Sequence, residues 1–81
     1  MVYVYILQND NNSFYIGTTN NLCKRVYQHN TNQSKYTKHR SPWKLVYTES
    51  YPTRSEAMKR EYFIKSQKSK SFIISLINSQ K

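Results

Sequence analysis

The sequence predicts an α/β (α+β) fold: a small three-stranded antiparallel sheet flanked by helices, in the order ββαβαα. Two apolar-aromatic runs close together near the N-terminus predict a hairpin. A third such run sits mid-chain, and a helix-start signature follows it directly.

Val2 to Leu7 (VYVYIL) is rich in β-branched and aromatic residues, which favour a strand. Val2, Val4 and Ile6 share one face and Tyr3, Tyr5 and Leu7 the other, so both faces are apolar and the strand is expected to be central. Gln8 to Asn12 is a polar turn, and Ser13 to Gly17 (SFYIG) a second strand. With Leu7 opposite Ser13, Tyr5 lies opposite Tyr15 on one face, and Phe14 and Ile16 join Val4 and Ile6 on the other. A helix is expected from about Asn21 to His29, capped by Asn20, with Leu22 and Val26 as its apolar stripe. Arg25 and His29, four apart, are neighbours on an adjoining face. Asn30 to Pro42 has no period and reads as an exposed basic loop carrying Lys35, Tyr36, Lys38, His39 and Arg40. Trp43 to Tyr51 (WKLVYTESY) is the third strand, ended by Pro52. Thr53 and Glu56 form a T-x-x-E capping box for a helix running to about Lys65. On it Ala57, Glu61 and Ile64 share a face, as do Met58, Tyr62 and Lys65. A last amphipathic helix covers roughly Ser71 to Asn78, with Phe72, Ile73, Leu76 and Ile77 as its apolar residues.

The chain's 81 residues make one small domain over residues 1–81. Thirteen Lys and Arg against four Asp and Glu give a net charge of +9, which attracts polyanions. Eight tyrosines supply flat stacking faces as well as hydroxyls, a mixture that suits nucleic acid better than a membrane surface. The apolar run at Phe72 to Ile77, broken by Ser75, is too short to span a bilayer. The N-terminus lacks the pattern of a secretion signal. Cys23 is the lone cysteine, which excludes a disulfide framework and a multi-thiolate metal site. A cytoplasmic protein is the expectation.

Several side chains are candidates for chemistry. Tyr5 and Tyr15, on one sheet face, can hold a water or a phosphate oxygen, or simply pack as a cross-strand pair. Gly17, the single glycine, either admits a close approach or makes a turn with positive φ. Arg25 can grip a phosphate bidentately, and His29 can transfer protons near neutral pH; the alternative for both is a solvated helix face. Glu61 is a carboxylate on an apolar face and so needs a partner. Arg60 projects elsewhere, which leaves Arg25 or a metal ion. Mg²⁺ takes few protein carboxylates and keeps waters, so a lone Glu beside a phosphate suffices.

Together these positions resemble the GIY-YIG nuclease superfamily. Tyr3-Val4-Tyr5 stands at the first motif, as Y-V-Y rather than G-I-Y, and Tyr15-Ile16-Gly17 matches the second. Arg25 follows at the family interval, His29 one turn later, and Glu61 on a later helix. The stretches NNLCKRVYQHN, KYTKHRSPWKLVY and RSEAMKRE look like small stand-alone members, which are similar to the N-terminal nuclease domain of excinuclease. The likeness covers roughly residues 2 to 66. Thr18 stands where some excinuclease-type members carry lysine, and Lys35 or Lys38 is the replacement expected from the loop.

The resemblance implies an endonuclease acting on DNA, with DNA repair as the associated process. It implies one divalent metal, Mg²⁺ or Mn²⁺, held by Glu61. Tyr5 would position or deprotonate the attacking water, His29 would assist, Arg25 would stabilise the developing charge and Tyr15 would orient the phosphate. Gly17, Lys35, Lys38, His39 and Arg40 are the expected nucleic-acid contacts. A protein partner that supplies target specificity is possible on the same grounds. The alternatives are a non-cleaving nucleic-acid-binding module and a nuclease active only with a partner protein.

Overall fold

A computed structural model describes residues 1–31 and 42–79. It contains β1 (Val2–Asn9), β2 (Phe14–Thr19), α1 (Leu22–Asn30), β3 (Trp43–Tyr51), α2 (Arg54–Ser66) and α3 (Lys70–Ser79), the predicted ββαβαα order. The sheet is antiparallel with strand order β2-β1-β3, so β1 is central, as its two apolar faces require.

The hairpin register differs from the expected one. Leu7 pairs with Tyr15 and Tyr5 with Gly17, a slip of two residues. The cause lies in the turn. β1 continues through Gln8 and Asn9, and Asn9 closes the loop by donating its N–H to the Ser13 carbonyl at 3.1 Å. Its side-chain Oδ1 accepts from the Asn11 and Ser13 amides at 3.1 and 2.9 Å. Asn12 takes a φ of 60°, a left-handed conformation that asparagine tolerates. A slip of two leaves every side chain on its expected face, so the apolar pattern alone cannot detect it.

The sheet separates two apolar clusters. On one face Val4, Ile6, Ile16 and Tyr47 pack with Ala57 and Ile64 of α2. Phe72, Ile73, Leu76 and Ile77 of α3 extend that cluster, as their spacing predicts. On the other face Tyr5, Leu7 and Trp43 pack with Tyr15 and with Leu22 and Val26 of α1. Trp43 and Tyr47 lie on one strand at even spacing yet serve opposite faces. A bulge makes this possible: Ile6 pairs with Tyr47 but Leu7 with Leu45, leaving Val46 as the extra residue.

Two caps set the helices. Asn21, rather than Asn20, caps α1 by accepting from the Lys24 amide at 3.1 Å. Asn20 ends the hairpin one residue too early for that role. Thr53 caps α2 through the Glu56 amide at 3.3 Å, as the T-x-x-E motif predicts. The C-terminal end of α1 is tied to β3 by a side-chain amide: Asn30 Oδ1 accepts from the Trp43 N–H at 2.6 Å and its Nδ2 donates to the Trp43 carbonyl at 3.0 Å. Among the described residues, no helix is long and apolar enough to cross a membrane.

Candidate active site

Four elements carry the candidate side chains. β1 places Tyr5 and β2 places Tyr15 and Gly17 on the face covered by α1, which delivers Arg25 and His29; α2 carries Glu61. Tyr5 is 1 % exposed and His29 has no exposed surface. The rings of Tyr5, Tyr15 and His29 form a triangle, with centroids 6.3, 5.9 and 4.7 Å apart for Tyr5–Tyr15, Tyr5–His29 and Tyr15–His29.

The Tyr5 hydroxyl is the junction of the cluster. It lies 3.0 Å from His29 Nε2 and accepts from Arg25 Nε at 3.3 Å. Arg25 in turn donates Nη1 to Gln28 Oε1 at 2.9 Å. Gln28 is not among the candidates that the sequence singles out, although its i+3 position on the same helix is a usable signal. Held on two edges, the guanidinium has a fixed plane.

Gly17 makes no left-handed turn, and the close approach it admits is that of the Tyr5 ring. Its φ is not positive, so no left-handed turn requires a glycine. The space above it is filled by the Tyr5 ring: a Cβ there would sit 2.6 Å from the Tyr5 hydroxyl and 2.8 Å from Cζ. The glycine makes room for a phenol that crosses from the facing strand, a consequence of the two-residue slip that puts Tyr5 opposite Gly17.

Glu61 comes from α2, on the opposite layer. Its charge nevertheless reaches the Tyr5 hydroxyl and adds to the upward push on that group. Its ion-pair partner is neither Arg25 nor Arg60. Lys65, one turn on, meets Oε2 at 2.6 Å with both side chains partly solvated, and the Glu61 side chain is 22 % exposed. An i,i+4 Glu–Lys pair is a common surface arrangement, and a division of α2 into separate faces hides it. Arg60 points away from this site, as expected, and pairs with Glu49. Lys35, Lys38, His39 and Arg40 lie outside the described residues.

Burial dominates the proton affinities here. It pushes Tyr5 up to about 12, because the Arg25 hydrogen bond offsets only part of the cost of an anion in this place. Burial and then the Arg25 charge push His29 down to about 4, so it is neutral near pH 7. Burial also works against Arg25, but the hydroxyls of Tyr5 and Tyr15 outweigh it and raise its pKa. The set therefore comprises a neutral imidazole, a neutral phenol and a permanent cation, with a carboxylate beyond them.

The profile of the GIY-YIG catalytic domain matches residues 1–74. The chain belongs to the GIY-YIG family. That family is nuclease-type. Among relatives, the chain is 52 % identical over 66 residues to a UPF0213 protein of Clostridium perfringens, a match spanning 80 % of this chain and 71 % of that one. It is 45 % identical over 64 residues to the UPF0213 protein YazA of Bacillus subtilis, spanning 78 % and 65 % of the two chains. A solution NMR structure of a UPF0213 protein from Bacillus halodurans superposes with a TM-score of 0.57 at 38 % identity, covering 94 % of this chain and 85 % of the other. These relatives are small members of the GIY-YIG family, and the NMR structure shares the fold of this chain.

Two outcomes follow from this geometry. Gly17→Ala should displace the Tyr5 ring, which His29 and Arg25 hold from the other side. A stability loss of about 1–3 kcal/mol is expected for such overpacking, read by denaturant melts, together with loss of the Tyr5–His29 contact in NMR spectra. For His29 the folded-state pKa of about 4 lies below the ordinary 6.5, so the unfolded chain binds the extra proton. The contribution is complete above pH 6.5 and lost as pH falls toward 4. Between those limits the wild type should lose about 3 kcal/mol more than His29→Gln in parallel melts.

Proposed function

We propose that this chain is a metal-dependent endonuclease that hydrolyses phosphodiester bonds in DNA. The observation that carries the proposal is the Tyr5 hydroxyl held between His29 Nε2 and Arg25 Nε, within the field of Glu61.

The proton path starts at Tyr5. A phenol with a pKa near 12 is not a standing phenolate at neutral pH, so it works by passing protons on rather than by waiting ionised. With Arg25 donating to its oxygen, its own proton is available to His29 Nε2. His29 is neutral but, with a pKa of about 4, a weak base, so it takes that proton only in concert with the attack. As water attacks phosphorus, Tyr5 takes the water's proton and gives its own to His29. The oxygen of the broken P–O bond leaves toward solvent and is protonated there.

Arg25 answers the charge that builds on the phosphate. Its Nε and Nη1 bond Tyr5 and Gln28 and the Tyr15 hydroxyl shares its charge, so Arg25 meets the substrate beside Tyr15. Tyr15 presents its ring against His29 and orients the phosphate at the mouth of the cluster.

Glu61 fits a hard divalent cation. Its Oε1 takes no hydrogen bond among the described residues, and Lys65 on Oε2 is a half-exposed partner that a cation can displace. No cluster of three or more His, Cys, Asp or Glu exists among the described residues, which suits Mg²⁺ or Mn²⁺ with retained waters better than a caged metal such as zinc. Such an ion would supply Lewis-acid polarisation of the phosphate and would stabilise the departing oxygen. The net charge of +9 draws in the substrate strand.

The test is plasmid nicking with Mg²⁺ or Mn²⁺, with and without chelator. Glu61→Ala should abolish cleavage while leaving DNA binding nearly intact; activity near wild type at matched metal would remove Glu61 from the site. Arg25→Ala should slow single-turnover cleavage about 100-fold to 1,000-fold at saturating protein, the usual cost of one transition-state donor. A rate within about threefold of wild type in a folded variant would make Arg25 an ordinary phosphate contact, given that expected size.

A further inference from the structure

On the sheet face opposite Tyr5, a second polar cluster joins β3 to α2. The Glu49 carboxylate accepts from Arg60 Nε at 3.0 and 3.3 Å and from Arg60 Nη2 at 3.1 Å. The Tyr51 hydroxyl donates to it at 2.6 Å and the Tyr47 hydroxyl makes a further short bond. The side chains of Glu49 and Arg60 are 16 % and 29 % exposed. Burial works against the Glu49 charge, but these donors outweigh it and hold its pKa below the ordinary range. On its other side the Arg60 guanidinium lies 5.4 Å from the Phe63 ring centroid, and Phe63 meets Phe72 of α3 edge-on at 6.0 Å.

A partly buried ion pair of this kind is a poor source of net stability, since desolvation consumes most of its attraction. What a bidentate Arg–carboxylate bond supplies is geometry. α2 needs it, because only Ala57 and Ile64 are fully buried on that helix, and one of them is a methyl group. Such a contact resists separation but resists rotation about the helix axis weakly. Arg60 directly precedes Glu61, so their side chains leave the helix about 100° apart. A roll of about 15° at a side-chain radius of about 5 Å shifts a carboxylate by more than 1 Å. Misplacement on that scale is enough to cost about 100-fold in rate.

We infer that Glu49 and Arg60 form a positioning pair that sets the rotation of α2, and with it the place where Glu61 presents its carboxylate to a divalent cation. The inference rests on the nuclease reading of Glu61. Tyr47 and Tyr51 fix the carboxylate end of the pair, and Phe63 with Phe72 fixes the guanidinium end.

Glu49→Gln and Arg60→Lys test it, by two readouts of Mn²⁺ alone. One is paramagnetic broadening of the Glu61 and Tyr5 amide signals during Mn²⁺ titration of the free protein. The other is the Mn²⁺ concentration that gives half-maximal single-turnover nicking, measured well below the melting temperature. Both half-points should rise by about tenfold or more, the usual consequence of removing a partner that orients a metal ligand. DNA binding in chelator should be unchanged. Arg60→Lys keeps the charge but not the fork and should behave like Glu49→Gln; it carries the test alone if the glutamine variant does not fold. Variants that melt lower yet keep both half-points would make the pair merely structural and overturn the inference. Absence of broadening at Glu61 in the wild type would also overturn it. If the wild type shows broadening but never nicks, the nuclease reading fails, and the pair is still judged by its broadening half-point.

Discussion

The Tyr5 phenol presses across Gly17 while Arg25 and His29 hold its oxygen. Much else follows from that one placement. It demands a residue without a side chain on the facing strand. It demands a helix whose polar face, not its apolar stripe, lies over the end of the ring. It demands a buried neutral imidazole, since a cation in that position has no room for water around it. The apolar face of α1 and the side chains of Leu7 and Trp43 then close around the aromatic triangle as its wall.

The sheet acts as a partition between two chemistries. The face toward α1 holds the phenols, the imidazole and Arg25, and the face toward α2 and α3 holds the larger apolar cluster and the Glu49–Arg60 pair. Glu61 is the group whose charge crosses from one layer to the field of the other. With β2 at the sheet edge, the Tyr5–Gly17 contact joins the central strand to an edge strand.

Much of this is legible in the residues. The strand at Trp43 to Tyr51, the T-x-x-E cap and the partition of apolar residues between faces follow from local pattern, which depends on neighbours in sequence. Motif spacing also groups Tyr5, Tyr15, Arg25 and His29, which lie together, whereas Glu61 reaches Tyr5 through its charge from the opposite layer. Three things are not legible. The hairpin register is set by the side chain of Asn9, and an even slip leaves no trace in an alternating pattern. The need for glycine at position 17 is set by a ring on another strand, visible only once the register is known. The Glu49–Arg60 pair joins residues eleven apart on different elements, and nothing local announces it.

The bulge at Val46 lets one short strand serve two clusters, because Tyr47 faces α2 while Trp43 faces α1. Deleting Val46 would leave a regular ladder with Tyr47 still opposite Ile6 and Leu45 opposite Leu7, so both rings would keep their faces and the strand tolerates shortening at that one point.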